Sequence, residues 1–209
     1  MEPELLTASF LLTCLACFIT VNLYNILIAH KQTERKEPYA EVECPSGIGV
    51  SIAALGTFIY FIETIFYSLA ALKLPNLLQN NNLLYYKSSY ASLLQLAGTF
   101  LAGSGYAIFI WSVIVRGRYA TSWKMTENHK LITWGPYKYV RHPSYLGYFL
   151  MFLSLPLTWP SIITLVPLAA IPGYIKVAVK EEELLTKRFG ENYLAYKKKT
   201  GRFLPKKGN

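Results

Sequence analysis

The chain has 209 residues, of which 53% are hydrophobic and 16% charged, and its mean hydropathy is +0.27. That excludes a disordered chain and is too apolar for an ordinary soluble domain. Against 12 acidic residues stand 21 Lys and Arg, for a net charge of +9. Every acid is a Glu, and the lack of Asp weighs against the clustered carboxylates that hard metal ions require. Cys14, Cys17 and Cys44 make no disulfide framework. The first two sit inside an apolar run, where a structural role is expected.

Four apolar stretches follow one another: 5–30, 44–72 (interrupted only by Glu63), 88–115 and 145–175. About 20 apolar residues span a bilayer, so the first three are predicted transmembrane helices. The leader before the first carries Glu2 and Glu4 rather than basic residues, unlike a signal peptide. The fourth stretch as one helix would be about 46 Å long, well beyond the ~30 Å hydrocarbon core. Its centre reads Leu155-Pro156-Leu157-Thr158-Trp159-Pro160. Two prolines that close break a helix, and Trp favours the interface, so a tight helical hairpin is predicted, its first arm short. The expected fold is an all-α integral membrane protein with about five transmembrane helices, ending in a cytoplasmic C-terminal helix.

Charge placement supports an odd number of spans. With five spans and the N-terminus outside, nineteen of the 21 basic residues lie in the cytoplasm, leaving Lys73 and Lys87 outside. Four spans would move the basic tail outward. The basic residues cluster at membrane edges, where topology and anionic lipid account for them, and no nucleic-acid motif accompanies them. Two regions result: 1–115, three membrane helices with their loops, and 116–209, carrying the chemistry. The plasma membrane is expected for a prokaryote and the endoplasmic reticulum for a eukaryote.

The polar material of the second region abuts the hairpin from both sides. Before it run His129, Lys130, Leu131 and Ile132, then Tyr137, then Arg141-His142-Pro143-Ser144-Tyr145. Interfacial anchoring accounts for Tyr, Trp and Arg at such a face. His129 and His142, 13 apart and without Cys or Asp, make no metal site. After the hairpin comes Lys180-Glu181-Glu182-Glu183. On a helix continued to Tyr196, Glu181 and Glu182 fall on the face of Leu185, Phe189, Tyr193 and Tyr196, while Glu183 points away. Carboxylates on an apolar face are costly unless paired or binding a cation. S-adenosylmethionine, with its sulfonium and α-ammonium, is such a cation, although no G-x-G-x-x-G follows a strand signal. Glu63, in the middle of the second helix, is a functional candidate or a snorkelling residue.

Arg141-His142-Pro143-x-Tyr145-x-Gly147, the hairpin, and Glu181-Glu182-x-x-Leu185-x-x-x-Phe189-Gly190-x-x-Tyr193-x-x-Tyr196 together resemble the isoprenylcysteine carboxyl methyltransferases and the wider phospholipid methyltransferase superfamily. The resemblance covers roughly residues 115–205. It implies a multi-span membrane enzyme that uses S-adenosylmethionine without a Rossmann fold. It also implies cofactor contacts at His129, Lys130, Leu131, Ile132, Tyr137, His142, Pro143, Ser144, Tyr145, Glu181 and Glu182. The family's basic residue before the Glu pair is absent, since Val177 occupies that position and Lys176 adjoins it. Arg141 and Lys176 are therefore the candidate catalytic residues, with Arg141 assigned to the substrate carboxylate. The family's earlier G-x-G is matched by Gly103-Ser104-Gly105, where packing is the alternative.

Methyl transfer to a carboxylate needs no general base, because the acceptor is already ionised at pH 7. A prenylated or similar isoprenoid substrate would arrive from the bilayer, since so apolar a chain does not travel through water. The alternative is a phosphatidylethanolamine-type N-methyltransferase, which needs a base such as Glu182 or His142. A non-catalytic lipid-binding or partner-binding protein would instead ignore the cofactor.

Overall fold

The structure, a computed structural model, describes residues 3–34, 47–73, 90–117 and 130–206. Long uncharged runs become long helices: α1 (Pro3–Glu34), α2 (Ile48–Lys73) and α3 (Ala91–Arg116). After them come α4 (Pro143–Thr158), α5 (Ala170–Phe189) and α6 (Glu191–Lys199), with short 3-10 turns at Gly135–Lys138 and Ile163–Ala169. Among the described residues the one β-type pairing is an isolated bridge between Val140 and Gly201, so the all-α expectation holds.

Four described helices are long and apolar enough to cross a bilayer: Glu4–Leu27, Ile48–Lys73, Ala91–Arg116 and Ile163–Phe189. The expected fifth is α4, Pro143–Thr158. At 1.5 Å per residue it is about 24 Å long, short of the ~30 Å that a crossing takes. The predicted hairpin is present. Its helix runs through Pro156, stops at Thr158, and turns where Trp159 is extended, as the residue before a proline prefers to be. Thr164 Oγ1 bonds to the carbonyls of Trp159 (3.2 Å) and Ser161 (2.6 Å), closing the corner.

α4 returns antiparallel along α3, and small residues set how closely. A Cβ on Gly147 would lie 2.7 Å from the carbonyl oxygen of Gly105, and one on Gly105 would lie 2.7 Å from that of Gly147. The two backbones touch, as membrane helices do where dispersion and not water drives packing. The Gly103–Gly105 motif is thus used in packing, Gly103 against Phe10 and Gly105 against α4. α5 runs back along α2, bringing Gly173 to Gly49 and Ala170 to Gly56. At the centre, Phe18, Tyr60, Tyr106, Phe109, Met151, Phe152 and Ala170 form one cluster drawn from all five long helices. Phe18 supplies its hub, with ring centroids 4.6 Å from Phe109 and 4.8 Å from Phe61.

One expectation fails at Gly190. In place of a single helix through 181–196, Gly190 adopts φ +51° and its N–H bonds to Thr186 O at 2.9 Å. The left-handed conformation, favourable for Gly, ends α5 and redirects the chain into α6. Tyr193 and Tyr196 therefore do not continue the face of Leu185 and Phe189.

Candidate functional site

Residues 141–145 lie between the polar end of α5 and the segment that follows α6. Local sequence explains the placement. Pro136 sits in the first 3-10 turn and Pro143 at the first position of α4. Both lack only donors that a helix start leaves unused. Between them the chain pairs with the returning tail: Arg141 N–H donates to Gly201 O (2.9 Å) and His142 N–H to Arg202 O (3.1 Å).

Glu182, 1% exposed, is the centre of a charged knot. Arg141 reaches its Oε1 through Nε (3.0 Å) and Nη2 (2.9 Å). Arg202 grips both oxygens, Nε to Oε1 at 2.9 Å and Nη2 to Oε2 at 3.1 Å. Lys197 Nζ lies 3.2 Å from Oε2. The remaining nitrogen of Arg141, Nη1, donates to the carbonyls of Thr200 and Lys197. A buried carboxylate needs such charge-assisted partners, and two guanidinium forks supply them with fixed geometry. The arrangement ties α6 and residues 200–203 to α5.

Glu181 is less committed. Tyr145 OH donates to its Oε1 at 2.8 Å, and His142 Nδ1 is 3.4 Å from its Oε2. Its side chain keeps 16% exposure, so acceptor capacity remains for a further cation. His142 Nε2 lies 3.4 Å from Glu182 Oε1, within ion-pair range but without hydrogen-bond alignment. Burial disfavours the charged imidazolium, yet the carboxylates of Glu181 and Glu182, each 3.4 Å from a ring nitrogen, outweigh it, so the pKa of His142 is raised. Its ring stacks on Tyr145 with centroids 5.4 Å apart and planes 8° from parallel. Tyr145 meets Tyr174 at 4.8 Å, and Tyr174 meets Tyr148 at 5.2 Å, extending an aromatic wall toward the membrane core.

Arg116 completes these surroundings and was not singled out by the sequence. It ends α3, one turn past Ser112, whose carbonyl accepts from Tyr137 OH at 3.5 Å. Its Nε is buried and makes no hydrogen bond among the described residues. Its charge acts on Tyr137, Tyr145 and Tyr148. Burial pushes the Tyr137 phenol up, with Arg116 pulling the other way. A buried guanidinium nitrogen without a hydrogen-bond partner is suited to an anion.

The structure thus brings together Arg141, His142, Tyr145, Glu181 and Glu182, with Pro143 and Ser144 buried between them. Tyr137 is tied in through its carbonyl, which accepts from Tyr196 OH at 2.6 Å. Of the preceding run, Ile132 is buried, Leu131 half-buried and Lys130 exposed, while His129 lies outside the described residues. Lys176 is not part of the group, since its stem lies over Gly49 on α2. Glu63 is likewise elsewhere, buried inside α2, with neither carboxyl oxygen hydrogen-bonded among the described residues. The sequence reading missed Lys197, Thr200 and Arg202. Gly190 was the available signal, because a helix stop there lets the basic tail fold back.

The family model for phospholipid methyltransferase matches residues 93–192. The chain is similar to curated proteins named protein-S-isoprenylcysteine O-methyltransferase. With that of Mus musculus it is 31% identical over 158 residues, covering 74% of this chain and 50% of the relative. With that of Xenopus laevis it is 38% identical over 82 residues, 38% of this chain and 28% of the relative. With that of Schizosaccharomyces pombe it is 33% identical over 84 residues, 39% of this chain and 36% of the relative. The chain therefore spans half or less of the length of these relatives.

Proposed function

We propose that the chain, which matches the phospholipid methyltransferase family model over residues 93–192 and is similar to isoprenylcysteine O-methyltransferases, is an integral membrane methyltransferase. Its methyl donor is S-adenosylmethionine, and its acceptor is the C-terminal carboxylate of a prenylated cysteine or a similar isoprenoid acid. The observation that carries this reading is that two unlike charges both act on Tyr137 and Tyr145: the Glu181 carboxylate, with acceptor capacity left, and Arg116, whose buried Nε makes no hydrogen bond among the described residues.

The residues fit the cofactor. Glu181 has capacity for its ammonium, and the wall of His142, Tyr145 and Tyr174 offers faces for its adenine. Lys130, Leu131, Ile132, Tyr137, Pro143, Ser144 and the undescribed His129 are its further candidate contacts, by the family resemblance. When bound, S-adenosylmethionine supplies an electrophilic methyl group on a sulfonium. Glu182 has a different role from the one expected for it. Already engaged by Arg141, Arg202 and Lys197, it has little left for an ammonium, and it orients His142 and Arg141 instead. Arg141, spent on Glu182 and two carbonyls, is a positioning residue, and Arg116 takes the acceptor carboxylate.

Chemistry then reduces to alignment and exclusion of water, worth up to roughly several kcal/mol each in favourable cases. An amine acceptor would need a base. His142, held toward its charged form, and Glu182, saturated with cations, are poor bases, which favours the carboxylate acceptor. Residues 116–209, Arg116 included, carry the site on a scaffold of 1–115. The face where α5 leaves the membrane is cytoplasmic on the distribution of basic residues, with the N-terminus outside. Titrating the detergent-purified protein with S-adenosylhomocysteine, beside Glu181→Gln, tests the reading. Micromolar binding that weakens at least about tenfold in the variant is expected, a charge-assisted hydrogen bond being worth roughly 1.5–3 kcal/mol. No binding to a folded wild-type protein would overturn it.

A further inference from the structure

Between α2 and α5, on the side away from the charged knot, lies an open apolar groove of about 460 Å³. Gly49, Gly56 and Gly173 contribute no side chains to its floor, while Ile59 and Val166 line its deep end. Leu55 and Val166 are 59% and 46% exposed, so the groove opens toward lipid. Lys176 is the charged residue in its lining, its aliphatic stem resting over Gly49, where a Cβ would lie 3.6 Å from its own Cβ and Cδ. Lys176 has no carboxylate partner among the described residues.

The dimensions suit one kind of occupant. From Gly49 to Ile59 the groove follows α2 for about 15 Å at 1.5 Å per residue, half the ~30 Å hydrocarbon thickness. It begins at the end where α5 leaves the membrane and stops near mid-plane. One leaflet therefore fits its length, with a cation at headgroup level. A stem lying on the apolar surface with its ammonium at the interface is how Lys snorkels. On α5, Lys176 stands about 140° round the helix from Glu181 at 100° per residue, so this groove is separate from the methyltransferase site.

We propose that this groove holds an acyl chain of an anionic phospholipid from the leaflet on the charged-knot side, with Lys176 pairing with its headgroup phosphate. The occupant is a structural lipid and not the methyl acceptor. The inference does not depend on the proposed methyltransferase activity.

The test uses the full chain in phosphatidylcholine vesicles with and without phosphatidylglycerol, reading lipid retained after extraction by native mass spectrometry and thermal unfolding in parallel. The unsubstituted protein should retain phosphatidylglycerol preferentially and unfold at a higher temperature with it. Lys176→Gln should cut that preference roughly fivefold, the worth of one lysine at an anionic surface, with unfolding in pure phosphatidylcholine unchanged. Lys176→Arg should keep the preference. Val166→Trp, at a lipid-exposed position that tolerates bulk, should lower retention of both lipids. An undiminished preference in Lys176→Gln would assign the attraction to the basic face in general and overturn the proposal. So would displacement of phosphatidylglycerol by farnesylcysteine, which would make the groove an acceptor site.

Discussion

Replacing Glu182 by Gln keeps the size of the side chain and removes its charge. Arg141, Arg202 and Lys197 would then face one another without their shared counter-ion, and the raised His142 would keep only Glu181. The contributions are unequal. In the pair with Arg141 the side chains are 7% and 2% exposed. Breaking so buried a pair costs about 3–5 kcal/mol. Arg202 and Lys197 are 33% and 42% exposed. They are partly screened and add about 1 kcal/mol or less each. A loss of about 3 kcal/mol is the conservative expectation, since Gln retains one acceptor oxygen. The loss should be local, because the knot joins the tail to α5 and leaves the glycine seam of α3 and α4 untouched. Hydrogen exchange reads this directly. The amides of Arg141 and His142 are bonded to Gly201 O and Arg202 O, so they report opening of the tail. Their protection should fall about 100-fold in Glu182→Gln, the equivalent of that free energy, with the amides around Phe109 unchanged. In Arg202→Gln the fall should be about fivefold, and the double variant should lose less than the two combined. A change of less than about fivefold at His142 in Glu182→Gln would refute the view that this carboxylate holds the tail.

Gly147→Ala should lower the unfolding temperature, because the new Cβ would meet the backbone of Gly105 and neither helix can yield without moving. Overpacking of this kind costs about 1–3 kcal/mol. The raised pKa of His142 stabilises the fold while the imidazole is charged. That contribution is complete below the unfolded value of about 6.5 and is lost as pH rises through the higher folded value. Wild type should therefore exceed His142→Gln in unfolding temperature by more at about pH 6 than at about pH 9, and a gap that widens with pH would reverse the argument. Arg116→Gln should leave S-adenosylhomocysteine binding within about twofold while raising KM for farnesylcysteine at least about tenfold, as expected for losing a charged partner of the carboxylate. Loss of cofactor-analogue binding would place Arg116 at the cofactor instead.

Run length and proline position made much of the fold legible. Uncharged stretches longer than a bilayer is thick leave a chain little choice but helices, and Pro156 with Pro160 made the corner visible. The Glu pair was legible too, because two carboxylates on an apolar helix face require an explanation. Assigning them separate tasks was not, since it depends on which cations arrive from elsewhere. Arg202 comes from 20 residues downstream and Arg141 from 41 upstream of Glu182. A helical projection carried through Gly190 hides the first of these, because one residue with positive φ resets the phase of everything after it. Lys176 adjoins the position of the basic residue that the family resemblance implied, but helical geometry turns it toward α2. Arg116 lies outside every motif, and its interest arises only from a buried nitrogen that makes no hydrogen bond among the described residues.

The bridge between Val140 and Gly201 has a consequence for the order of synthesis. Arg141 emerges from the ribosome 59 residues before Thr200, the carbonyl it binds, and earlier still than Arg202, with which it shares Glu182. The membrane helices can insert and pair while those partners are still untranslated. During that interval Glu182 has Arg141 and His142 but lacks Arg202, and the extended segment before α4 has no strand to lie against. The site is therefore the last part of the described molecule to close, and a nascent chain cut short before residue 200 would hold a nearly finished bundle whose functional face stays open to degradation.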